Sequence, residues 1–81
     1  MPPTNPPDRN VFMDLRGIAC PLNWAKAKAR LEPMTRGSLL TLLLDDARAA
    51  RDIPGAAEAE GCVVIEVTVG DDGCTRIVIE R

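Results

Sequence analysis

Cysteines at positions 20, 62 and 74 are the only thiols in a chain that has no histidine and no tyrosine. Without histidine there is no Ser-His-Asp triad, no Cys-His pair and no His-containing metal site. No two cysteines are spaced Cys-x-x-Cys. An odd number at such spacings makes a poor disulfide framework and a poor zinc site. No metal site is therefore expected, and free thiols in a reducing compartment place the protein in the cytoplasm.

Cys20 stands apart because its next neighbour is Pro21. Proline is well tolerated at the first helical position, so Pro21 starts a helix predicted to run from Pro21 to Glu32. That puts Cys20 at the N-cap, among unpaired backbone N–H groups and at the positive end of the helix dipole. Both favour thiolate over thiol, and persulfide benefits from the same donors. Arg16, four residues upstream, adds positive charge. The competing reading makes Cys20 a small capping residue beneath Trp24, the largest packing unit of the core. Cysteine is not a preferred N-cap, which favours chemistry. Asp45, Asp46 and Asp52 invite an acid–base reading, but strand termination and helix capping account for all three.

The elements that position Cys20 are set by periodicity. The Pro-rich start, residues 1–9, is expected to be a flexible tail, with one domain over residues 10–81. Val11–Leu15 reads as a first strand with Met13 and Leu15 on one face, and Gly17 is free to turn in the loop after it. Trp24, Ala27 and Leu31 recur at helical spacing. Leu39–Leu44 is a second strand, stopped by Asp45 and Asp46. The alanine-rich segment to Glu60 carries a break at Asp52-Ile53-Pro54, with Asp52 capping a second helix that ends near Gly61. Val63, Ile65, Val67 and Val69 alternate onto one face, as do Thr75, Ile77 and Ile79. For these two sets to share a face, paired positions must sum to an even number. A three-residue loop Asp71-Asp72-Gly73 with Gly73 left-handed meets that condition and pairs Val69 with Thr75 and Val67 with Ile77. Two helices cover one face of four strands, so the fold expected is a two-layer α/β (α+β) sandwich, β-α-β-α-β-β, with a mixed sheet.

The helix-free face is then predicted to carry Leu39, Leu43, Val64 and Val78 as an apolar patch for a protein partner or a weak homodimer. Cys62 and Cys74 fall on that face too, far apart along the hairpin. Ten basic against twelve acidic residues and two aromatics leave no footprint for direct nucleic-acid binding. No apolar run approaches the roughly 20 residues needed to span a bilayer, so no membrane contact is expected.

The segment Asp14-Leu15-Arg16-Gly17-Ile18-Ala19-Cys20-Pro21 resembles the signature of TusA-like (SirA-like, YeeD-like) sulfur carriers. Asp45-Asp46 followed by Asp52-Ile53-Pro54-Gly55 is similar to the family's second landmark, and Gly61 falls where the family has a glycine after its second helix. The resemblance spans roughly residues 11–81. It implies a sulfurtransferase-type carrier with a persulfide on Cys20 and no bound cofactor. It further implies a donor of the cysteine desulfurase or rhodanese type and a sulfur-acceptor protein. Pro21 matches the family's Cys-Pro-x-Pro, whereas Asn23 replaces the second proline and brings a donor and an acceptor that can contact the sulfur or the loop. Arg16, Gly17, Pro21 and Asn23 are thus candidates to support the thiolate or its loop, and Asp45 and Asp46 to contact partners. A noncatalytic docking module of the same fold and a thiol redox sensor are the alternatives.

Overall fold

The leucine run Leu39–Leu44 becomes an inner strand of the sheet and alternates cleanly. Leu40, Leu42 and Leu44 are buried while Leu39 and Leu43 are half-buried on the other face. In the computed structural model, which describes residues 10–81, the strands are β1 (Asn10–Asp14), β2 (Leu39–Leu44), β3 (Val63–Val69) and β4 (Thr75–Glu80). The helices are α1 (Leu22–Leu31) and α2 (Ala47–Ala59). The expected tail, residues 1–9, lies outside the described residues. Element order is β-α-β-α-β-β and sheet order is β1-β2-β4-β3, with β1 parallel to β2 and the other pairs antiparallel. Ala27 and Leu31 of α1 and Ala49, Ile53 and Ala57 of α2 join Leu40, Leu42, Leu44, Ile77 and Ile79 in one core. Both helices therefore lie on one face of the sheet.

The hairpin forms in the expected register. Val69 pairs with Thr75 and Val67 with Ile77, and Gly73 has φ 84°. The Gly70 N–H closes the three-residue loop onto the Cys74 carbonyl at 2.8 Å. Farther along, a bulge at Ile65 changes the parity, so that Val64 pairs with Ile79 and Val63 with Glu80. One extra residue in a strand reverses the facing of everything beyond it. Val64 is thereby turned against the core and leaves the predicted patch. Cys62 is likewise buried in the core, at 6% exposure, and not on the open face.

Val63, Ile65, Val67 and Val69 are exposed, contrary to the inward set expected. Val67 shares a face with Ile77, but β3 is the edge strand and the helices do not reach over its far half. The remaining patch residues, Leu39, Leu43 and Val78, stay on the helix-free face, where Val78 pairs with Thr41 and is itself buried.

α2 is one helix, without the expected break. Asp46 is its N-cap, accepting the Arg48 N–H at 2.9 Å, while Asp52 is exposed inside the helix beside Arg51. Pro54 sits in the interior, where it removes one helical hydrogen bond. Burial of Ala49, Ile53 and Ala57 holds the helix together across it, tertiary packing outweighing local propensity.

Candidate functional site

Residues 15–21 carry the chain from the end of β1 to the start of α1, and the Asp45-Asp46 pair at the end of β2 ties that loop down. Gly17, at φ 83°, turns its N–H toward Asp45, whose two carboxylate oxygens accept it at 3.0 and 3.1 Å. Asp46 divides its oxygens: Oδ1 caps α2 through Arg48, and Oδ2 accepts the Cys20 N–H at 2.9 Å. The Cys20 N–H, first among its hydrogen-bond partners, holds the Asp46 carboxyl below the usual carboxylate range. The two acids expected to meet partners are thus engaged by the protein's own loop.

Cys20 is half-buried and packs partly against the core beside Ile18 and Trp24. It lies one residue before the N-cap, which is Pro21, and the Cys20–Pro21 peptide is cis. The array of free helix-end donors expected around its sulfur is smaller than predicted. The N–H groups of Asn23, Trp24 and Ala25 are taken by the Ala19 carbonyl, Asn23 Oδ1 and the Pro21 carbonyl. Among the described residues, the Leu22 N–H is the first-turn donor left without a protein acceptor. The side chain of Leu22 is 55% exposed, an apolar surface next to Cys20 that lies off the core stripe of α1 and so has no signal in the helical spacing.

Arg16, expected to add positive charge near Cys20, is paired with Asp14. Its guanidinium grips Asp14 with two bonds, Nε to Oδ1 at 2.9 Å and Nη2 to Oδ2 at 2.7 Å. This pair lowers the Asp14 carboxyl to about 2 and raises Arg16. The charge of the guanidinium also acts, more weakly, on the Cys74 thiol. Burial, followed by the charge of Asp72, pushes the Cys74 thiol up, which disfavours its thiolate. All three cysteines are free. Beside the Cys20 loop lies an open recess of about 450 Å³ lined by Gly17, Ile18, Ala19, Asp45, Asp46 and Ala47. Among the described residues no cluster of Cys, Asp and Glu is arranged to hold a metal, and no helix is long and apolar enough to cross a membrane.

The profile of the sulfurtransferase TusA family matches residues 11–81, almost the whole described chain. The chain belongs to the TusA family. A candidate sulfur carrier protein of Archaeoglobus fulgidus is 37% identical over 60 residues, covering 74% of this chain and 68% of the relative. Another, from Neisseria meningitidis serogroup A, is 32% identical over 66 residues, covering 82% and 89%. The crystal structure of a SirA-like protein from Desulfitobacterium hafniense superposes with a TM-score of 0.68 at 26% identity, covering 86% of this chain and 95% of that one. Family membership and these relatives support a sulfur-carrier role for this TusA-family chain, and such a role requires proteins that supply and receive the sulfur.

Proposed function

We propose that this TusA-family protein relays sulfur between two partner proteins as a persulfide on Cys20. The observation that carries the reading is the placement of this one thiol. Cys20 is partly open and held by its own N–H, whereas Cys62 is buried in the core and Cys74, though also half-buried, has its thiolate disfavoured by burial and by Asp72. In loading, the Cys20 thiolate attacks the outer sulfur of a donor persulfide, R–S–SH. A new S–S bond forms on Cys20, the donor S–S bond breaks, and R–S⁻ leaves. In delivery, an acceptor thiolate attacks the outer sulfur of Cys20–S–SH and Cys20 departs as thiolate. Each step is an exchange with no net oxidation and needs an open approach along the S–S axis.

Gly17 and Pro21 shape the loop that presents the sulfur, and Arg16 fixes its start through Asp14. A donor of the cysteine desulfurase or rhodanese type and a thiol-bearing acceptor meet the Cys20 side of the molecule, where exposed Leu22 offers apolar contact. Leu39 and Leu43, half-buried on the helix-free face, provide a second contact surface, for a partner or a weak homodimer, while Val78 beside them is buried and offers little. Three free thiols suit work in the reducing cytoplasm.

Iodoacetamide labelling near neutral pH, followed by peptide mapping, tests the assignment. Cys20 labels ahead of Cys62 and Cys74. Should it label no faster than both, the docking-module reading replaces sulfur transfer.

A further inference from the structure

The one polar side chain in the buried stripe of α1 is Asn23, 0% exposed, where Ala27 and Leu31 continue the stripe. Packing alone asks for an apolar residue there. Both polar atoms of the amide are instead bonded. Nδ2 donates to the Ile18 carbonyl at 3.1 Å, and Oδ1 accepts the Trp24 N–H at 2.7 Å. The Asn23 backbone N–H donates to the Ala19 carbonyl at 3.2 Å. One residue thus grips both carbonyls immediately before Cys20 and the helical turn immediately after it. Asp46 takes the Cys20 N–H. Pro21, the N-cap, makes no side-chain cap bond, so Asn23 does from inside the helix what a capping residue ordinarily does from its end. A buried polar group with every partner in place selects one arrangement of its surroundings, whereas an apolar residue of similar volume fills the space and selects none.

We propose that Asn23 is a positioning residue for Cys20: its amide locks the 18–20 loop to the first turn of α1 and so holds the thiol half-buried, setting how readily the sulfur is reached. The consequence for function rests on Cys20 being the sulfur carrier. The geometric claim does not. The Ile18 carbonyl, released when the amide is lost, has no other protein donor fixed in place, and the loop then opens locally, hinged on the remaining backbone bond to the Ala19 carbonyl, while the core stays closed.

Asn23→Ala and Asn23→Asp test this together, with a pyridyl disulfide as the thiol probe because it reacts from acid to alkaline pH. Reactivity at Cys20 is read against Cys74, and buried Cys62 reports global opening. In Asn23→Ala near neutral pH, Cys20 reacts about fivefold faster relative to Cys74 while Cys62 remains protected, the pattern of local opening. Asn23→Asp carries the discriminating readout. Burial raises its carboxyl, and the protonated form can donate to the Ile18 carbonyl as the amide does. Its Cys20:Cys74 ratio is therefore parental at mildly acidic pH and climbs as the carboxyl ionises. Persulfide loaded onto Cys20 is lost to a small thiol faster in both variants under the same conditions. The proposal is overturned if the ratio stays within about twofold of the parent in both variants, or if Cys20 and Cys62 accelerate together at every pH. A parent protein that takes no sulfur on Cys20 sinks the carrier reading, and the thiol-probe ratios still decide the role of Asn23.

Discussion

Replacing Pro54 with alanine should stabilise the protein, because this proline interrupts a helix that the rest of the fold keeps continuous. Pro54 lies in the interior of α2, and its missing N–H leaves the Ala50 carbonyl without its helical donor. Interior proline costs about 3 kcal/mol relative to alanine in a helix. Proline also restricts the unfolded chain, which offsets about 0.4–1 kcal/mol of that. The net gain for Pro54→Ala is about 2 kcal/mol. In a domain of this size that raises the thermal midpoint by about 10 °C. Thermal and urea unfolding followed by circular dichroism measure it, with equal m-values showing that the compactness of the end states is unchanged. Asp46 still caps α2, so the relative labelling of Cys20 should not change. An unchanged or lowered midpoint would refute the reasoning, because it would mean that the half-buried ring packs well enough to outweigh the missing bond.

Two further expectations concern titration. Burial and Asp72 raise the Cys74 thiol, so its alkylation should be slow near neutral pH and climb only under alkaline conditions, and Asp72→Asn should bring that climb to lower pH. Asp46 titrates in the opposite sense. Its folded-state carboxyl is lowered, so the stability it contributes is present above the ordinary carboxylate value of 3.8 and is lost as pH falls through the lowered folded value. Amide hydrogen exchange at Cys20 should therefore lose protection under acid, and Asp46→Ala should lose it at every pH.

Much of this architecture is legible in local patterns. The alternation of Leu39–Leu44 and the parity condition on the last hairpin each rest on a few neighbouring residues, and each matches the structure. The proline after Cys20 marks the helix start only to within one residue, Pro21 and not Cys20 being the N-cap. Where the structure departs from those patterns, a non-local cause is at work. Ile65 sits in an unbroken alternation, so nothing in the letters marks it as the bulged residue that turns Val64 and Cys62 inward. Asp52-Ile53-Pro54 has the chemistry of a helix start, but the buried stripe of Ala49, Ile53 and Ala57 keeps the helix running through it. Asp45 and Asp46 read as strand terminators and partner contacts. Their bonds to Gly17 and Cys20 cross 28 and 26 positions, a separation no local pattern encodes. Arg16 illustrates the same limit on electrostatics. Its nearness to Cys20 along the chain is plain, whereas its capture by Asp14 depends on where the strand end points.

The central claim is that sulfur resides on Cys20, and intact-mass analysis after incubation with a persulfide donor tests it most directly. The parent protein should gain one sulfur atom that maps to the Cys20 peptide and is released by a thiol reductant, while Cys20→Ala gains none. A parent protein that gains no sulfur, or a Cys20→Ala variant that gains as much as the parent, would contradict the claim.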